Sequence, residues 1–308
     1  LYTIFNTKNL SIPMRFKIEQ DLLLGENEAP ISSSSYSLAN ISGVPLFLFG
    51  TKLIDSEIVK LENELNKHKI SQDKCKIIHT KSVVSDEETP LAAIKNSKDT
   101  SMWNSVKSQI EGSADISLSA GNTGVLLVIS RMILKTMKDV SKPALAGLWP
   151  SKIGMSVVLD LGANIECDEK NLIDFSEMGA ALYKSIFPDQ KPVVSLLNIG
   201  SEEIKGTEVI KKAYTELKDM DKKNNFLFDG YIEGNKIMDG STNVIVTDGF
   251  TGNVALKTAE GTAKFITDSL KKSLSENVFT KISLLLSYFS LKKFKSKLDP
   301  RKYNGAIF

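Results

Sequence analysis

Residues 114–119, 156–161, 193–198 and 243–247 are short runs rich in Val, Ile and Leu. Except in 114–119, where apolar and polar residues alternate, they are apolar at consecutive positions. A strand of that kind is stable only when both faces of its sheet are covered. Helical spacing follows over 123–137, 172–186, 204–218 and 253–275. The alternation predicts an α/β protein, a three-layer α/β/α sandwich with a largely parallel sheet between helices.

Between strand and helix the chain narrows to small and polar residues each time. The four clusters are Ser119-Ala-Gly-Asn-Thr-Gly124, Asp160-Leu-Gly-Ala-Asn164, Asn198-Ile-Gly-Ser-Glu-Glu203 and Asp248-Gly-Phe-Thr-Gly-Asn253. All fall beyond the carboxyl ends of predicted strands, where open α/β sheets bind ligands. Helix starts offer unpaired backbone N–H groups and a positive dipole end, and small residues let an anion approach them. Taken singly, each turn is equally well explained by the backbone needs of a tight connection. Together they predict a phosphate-receiving edge.

The upstream part reads less clearly. The run Val44-Pro-Leu-Phe-Leu-Phe49 followed by Gly50 predicts a buried strand, 75–79 a second strand, 55–67 a helix and Pro90 an early helix position. Residues 1–40 form an atypical N-terminal segment containing the low-complexity Ser32-Ser-Ser-Ser35. The 308 residues suit one sizeable α/β domain over 41–308 or two closely associated lobes.

Composition removes several function classes. Net charge is +2, so nothing points to a general nucleic-acid binder. Cys75 and Cys167 are far apart and form no C-x-x-C pair, and the two histidines, His68 and His79, lack metal-ligand spacing. No metal and no cofactor is expected. No run approaches the roughly 20 apolar residues of a membrane span. The chain lacks G-x-x-x-x-G-K-[ST], G-x-G-x-x-G and G-x-S-x-G, which disfavours nucleotide triphosphatases, simple dinucleotide enzymes and nucleophile-elbow hydrolases.

The four clusters, extended to Leu197-Asn-Ile-Gly-Ser-Glu-Glu-Ile-Lys-Gly206 and Val246-Thr-Asp-Gly-Phe-Thr-Gly-Asn-Val-Ala-Leu-Lys257, resemble the signature run of the PlsX-type phosphate acyltransferases. The resemblance continues through His79, Glu88-Thr-Pro90, Lys98-Asp-Thr-Ser-Met102, Leu298-Asp-Pro300 and Tyr303-Asn-Gly-Ala306, and so covers roughly 44–308. Two departures stand out. The family's opening D-A-M-G-G-D-x-A-P has only a faint echo in Asp21-Leu-Leu-Leu-Gly-Glu-Asn-Glu-Ala-Pro30. Its closing strand and Ser-His-Gly turn are not found before Phe308, which leads to the expectation of a truncated C-terminus.

The resemblance implies the isocitrate/isopropylmalate dehydrogenase-like fold. It also implies a bacterial enzyme of phospholipid and fatty acid synthesis that moves an acyl group from acyl carrier protein to inorganic phosphate. With no triad visible, direct attack by bound phosphate is expected, with catalysis by positioning and oxyanion stabilisation. The residues expected to carry catalysis are Asn122, Lys205, Asn253 and Lys257. Those expected to bind phosphate or substrate are Gly121, Thr123, Gly124, Asn164, Asn198, Gly200, Asp248, Gly249, Thr251 and Gly252. Asp160 is read as a turn cap, and His79 as structural.

Residues 279–302 interleave Leu285, Leu286 and Phe289 with Lys292, Lys293 and other basic residues. This amphipathic basic segment predicts contact with an anionic membrane surface, or with acidic acyl carrier protein. The expected setting is the cytoplasm, with peripheral membrane association and a homodimer. Two alternatives stay open: a short-chain phosphotransacylase or related dehydrogenase on the same sheet type, and a catalytically impaired homologue that binds carrier protein without turnover.

Overall fold

A computed structural model describes residues 2–5, 36–39, 46–51, 75–80, 82, 84–85, 89, 92, 95–114, 116–119, 121–220, 225–275, 287, 289–291, 294 and 305–307. The chain divides into two compact units, Leu1–Pro143 with Gly305–Phe308, and Ala144–Asn304. The helix expected over 55–67 lies outside the described residues.

In the first unit the strands are β1 (Tyr2–Phe5), β2 (Tyr36–Ala39), β3 (Leu46–Thr51), β4 (Cys75–Thr80), β5 (Ile116–Ser119) and, from the end of the chain, β11 (Gly305–Ile307). They lie in the order β4-β3-β2-β5-β1-β11. Only β3 with β4 and β1 with β11 are parallel; β2 with β3, β2 with β5 and β1 with β5 are antiparallel. The expectation of a largely parallel sheet therefore fails in this unit. Parallelism was inferred from helices between strands, and β1 and β2 come from the stretch that carried no readable pattern.

Helix α1 (Ser101–Ile110) was also not anticipated. Thr100 caps it by accepting from the Trp103 N–H at 3.2 Å. Its buried face mixes Met102 and Val106 with Ser101, Ser105, Ser108 and Gln109, so no apolar stripe advertises it. Polar bonds hold that face instead. Gln109 Nε2 donates to Ser117 Oγ at 2.9 Å, and Ser117 Oγ donates to the Ser105 carbonyl at 2.6 Å. Helix α2 (Thr123–Leu134) follows β5 and buries Val125, Leu126 and Ile129.

The second unit fits the prediction better. Its sheet has the order β6 (Leu145–Pro150), β7 (Met155–Leu159), β10 (Val244–Val246), β8 (Val193–Asn198), β9 (Leu227–Glu233). All neighbours are parallel except β6 with β7. Val157, Val158, Leu159, Val194, Leu196 and all of β10 are essentially shielded from water, as their unbroken apolar runs require. Helices α3 (Glu169–Ile186), α4 (Glu208–Met220) and α5 (Gly249–Ser273) complete it. Asp168 and Asn171 form a reciprocal capping box at the start of α3, and Phe175 is its fully buried anchor. The expected helix over 204–218 begins four residues later, because 199–206 forms a separate loop, and the one expected from 253 starts at Gly249.

Strand β9 escaped sequence reading because its faces are unequal: Leu227 is exposed, Ile232 is buried, and the register shifts between Val194 and Leu196 of its neighbour. Strand β6 escaped because Ala146, Gly147 and Pro150 dilute its apolar signal. In the centre of the sheet Val246 pairs with Leu159 on one side and Leu196 on the other. Strands β7 and β10 thus end level, β8 runs two residues further to Asn198, and the three turns that follow them leave from one edge.

Candidate active site at the carboxyl edge of the parallel strands

The turn after β7 is organised by one side chain. Asp160 is fully buried, and its Oδ1 accepts the N–H groups of Leu145 (2.9 Å), Gly162 (3.3 Å) and Ala163 (3.0 Å). Its Oδ2 accepts the Asn164 N–H at 2.7 Å and the Asn164 Nδ2 at 2.8 Å. Burial pushes the Asp160 carboxyl above the usual aspartate range, against the lowering effect of these donors. The turn's N–H groups therefore point inward. The expectation that this turn offers them to an anion is corrected: its own carboxylate occupies them.

The turn after β10 becomes the first turn of α5. Asp248 caps it, accepting from the Thr251 N–H at 2.8 Å and from the Thr251 hydroxyl at 2.8 Å. The Gly249 N–H donates to the Asn164 carbonyl at 2.7 Å. Two glycines make this contact possible. A methyl at Gly249 would lie 2.5 Å from the Asn164 carbonyl oxygen, and one at Gly252 would overlap the Asp160 carbonyl oxygen. The helix start is thereby seated against the 160–164 turn. Asn253 is exposed beside Gly162, 3.4 Å from the position a Cβ there would take, and its amide has no hydrogen bond among the described residues.

After β8 the chain forms the 199–206 loop. Asn198 is buried and donates from Nδ2 to the Lys205 carbonyl at 3.0 Å. The Lys205 side chain folds across Gly200, with Cδ 2.5 Å from a Cβ position there. Its ammonium pairs with Glu202 at 2.8 Å, which raises the lysine pKa and lowers that of the glutamate. Lys257, just over two turns into α5, pairs with Glu260 at 2.8 Å. Both expected cations thus carry acidic partners at the surface, Glu202 exposed and Glu260 half-buried, whose attraction is weak enough for a bound anion to displace. Sequence reading named the lysines and missed Glu202 and Glu260; spacing of three residues was the available signal.

In the first unit, Asn122 caps α2, its Oδ1 accepting from the Val125 N–H at 3.1 Å. The Gly121 N–H donates to Ser119 Oγ at 3.2 Å. Thr123 and Gly124 are half-buried in the first helical turn. Among the described residues no group of three or more His, Cys, Asp or Glu could hold a metal ion.

A family model described as fatty acid synthesis protein matches residues 27–308. The chain belongs to the fatty acid synthesis protein family. A phosphate acyltransferase from Pelagibacter ubique (strain HTCC1062) is 57% identical to it over 251 residues, covering 81% of this chain and 74% of that protein. A phosphate acyltransferase from Caulobacter vibrioides is 39% identical over 254 residues, covering 82% and 70%. Among solved structures, the EutD phosphotransacetylase from Staphylococcus aureus overlays with a TM-score of 0.45 at 15% identity, over 67% of this chain and 72% of that one, a likeness too slight to bear on fold.

Membership of the fatty acid synthesis protein family bears out the PlsX-type resemblance carried by the four clusters. In this member, no helix among the described residues is long and apolar enough to cross a membrane. Of the residues expected to contact membrane or carrier protein, Phe289 is 82% exposed, while Leu285, Leu286, Lys292 and Lys293 lie outside the described residues. A signal that sequence reading passed over is the exposed isoleucines of the edge: Ile165 at 71%, Ile199 at 81% and Ile204 at 82%.

Proposed function

We propose that this chain is a phosphate acyltransferase that takes the acyl group of an acyl-carrier-protein thioester and delivers it to inorganic phosphate. A phosphate oxygen attacks the thioester carbonyl and forms a tetrahedral oxyanion. The carbon–sulfur bond then breaks, the acyl phosphate leaves, and the carrier thiol departs with a proton. The supporting observation is the parallel register of β7, β10 and β8, whose carboxyl ends place three of the signature turns on one edge of the second unit. Asn253, with its exposed side-chain amide near the start of α5, provides a donor for the phosphate, bordered by Thr251, whose N–H and hydroxyl are held by Asp248. Lys205 and Lys257 supply compensating charge on exchanging their carboxylate partners for the anion. Asn198, Gly200 and Asp248 belong to the same edge, and Asn122, Thr123 and Gly124 form a helix start within the first unit that is proposed by itself as a phosphate-binding turn.

The exposed Ile165, Ile199 and Ile204 favour a long acyl chain over a short one, because a chain covering them removes apolar surface from water. The three-layer, dehydrogenase-like architecture, a homodimer, and residence in the cytoplasm at the membrane surface complete the proposal. Support for a second copy comes from α5, which leaves Phe250 (63%), Val254 (52%) and Phe265 (71%) exposed along one stripe.

The direct test supplies purified protein with acyl–acyl carrier protein, with and without phosphate, and follows free thiol and acyl phosphate. Phosphate-dependent release of both products is the expected result. Thiol release that ignores phosphate, or none at all, would sink the proposal.

A further inference from the structure

A fully buried carboxylate is an odd choice for a connection of small residues, because burial penalises its charge. What compensates it is unusually complete. Five donors from Leu145, Gly162, Ala163 and Asn164 converge on its two oxygens, which fills the acceptor capacity of a carboxylate. Asp160 therefore has no oxygen to spare for a ligand or for proton transfer. Its effect is on shape.

Two contacts carry that shape to the next turn. The Asn164 residue fixed by Asp160 receives the first N–H of α5 on its carbonyl, and the Asp160 carbonyl oxygen fills the space that a side chain at position 252 would need. Thr251 and Asn253 flank that position, and Asn253 rests on Gly162 of the same turn. Moving the 160–164 turn by a fraction of an ångström moves Asn253, the group proposed to hold phosphate, together with Thr251 beside it, while the turn itself offers the anion no N–H.

We propose that Asp160 is a positioning residue for the phosphate subsite: its carboxylate moulds the 160–164 turn into the seat of α5 and so sets Thr251 and Asn253 without touching the substrate. This rests on the phosphate acyltransferase reading above. Asn at this position keeps the size but turns an NH₂ toward N–H groups, so the turn must open on one side.

The test is steady-state kinetics on the full chain, varying phosphate and acyl–acyl carrier protein separately, for wild type, Asp160→Asn and Gly252→Ala. Melting temperature is recorded for each, and assays run below the lowest of them. Both variants should raise the phosphate KM at least tenfold and move the carrier-protein KM less than twofold. Gly252→Ala leaves the carboxylate in place and forces the helix start and the Asp160 carbonyl apart, so it tests the seat if Asp160→Asn does not fold. An unchanged phosphate KM in either folded variant overturns the proposal. So does a loss that falls equally on both substrates and follows the melting temperature. Wild type without phosphate-dependent turnover would remove the function itself, a different failure.

Discussion

At the scale of single residues, Asn253 and Asp160 behave as opposites. Asn253 is exposed and its side chain makes no hydrogen bond among the described residues, so its removal costs the fold little. A hydrogen bond to a charged group contributes about 1.5–3 kcal/mol. Asn253→Ala should therefore lower kcat/KM for phosphate roughly tenfold to a hundredfold, since about 1.4 kcal/mol is a factor of ten. Thermal scans should show its melting temperature unmoved. Asp160 is buried, and burial raises its carboxyl pKa. A raised carboxyl pKa means that the folded protein holds the proton more tightly than the unfolded chain. The linked stability is fully present below the unfolded value, about 3.9 for aspartate, and is lost as pH rises through the folded value. Compared with Asp160→Asn, which cannot titrate there, wild type should gain stability as pH falls through that raised value. Denaturant melts of both proteins across the acid range would measure it; a constant difference between them would contradict the raised pKa.

At the scale of elements, what could be read from sequence followed how each element is held. Strands β7, β8 and β10 were legible because both faces are buried and every position is apolar. Helix α1 was not, because Ser105, Ser108 and Gln109 form much of its buried face and their hydrogen bonds replace apolar spacing. Within the site, the glycines and asparagines were visible as letters. Asp160 was legible as a turn cap; that its buried carboxylate takes every N–H of 162–164, leaving none for an anion, was not. Two element-scale tests follow from the helices. Asp168→Ala breaks the capping box of α3 and should cost about 1 kcal/mol of stability in denaturant melts. Phe265→Lys places a charge on the exposed stripe of α5. If a second copy covers that stripe, light scattering should show the wild-type dimer shifting to a monomer of unchanged melting behaviour.

For the molecule as a whole, the proposed chemistry joins a water-soluble anion to a chain that belongs in lipid, so the protein should be found where both are present. The basic 279–302 segment and the exposed Phe289 lead to a specific outcome. The protein should sediment with vesicles containing anionic phospholipid at low salt and be released at about 0.5 M salt, where screening reaches only a few ångströms. Neutral vesicles should retain little of it, and Phe289→Glu should weaken retention on anionic ones. Sedimentation indifferent to lipid charge would refute a membrane role for this segment. The 25 residues of α5 have one further mechanical consequence. At 1.5 Å per residue the helix is about 37 Å long, and only Gly249 and Gly252, at one end, are buried. It is a lever clamped at the end proposed to receive phosphate. A tilt of roughly 5° at the clamp, too small to break a hydrogen bond, sweeps Ser273 through about 3 Å over that length.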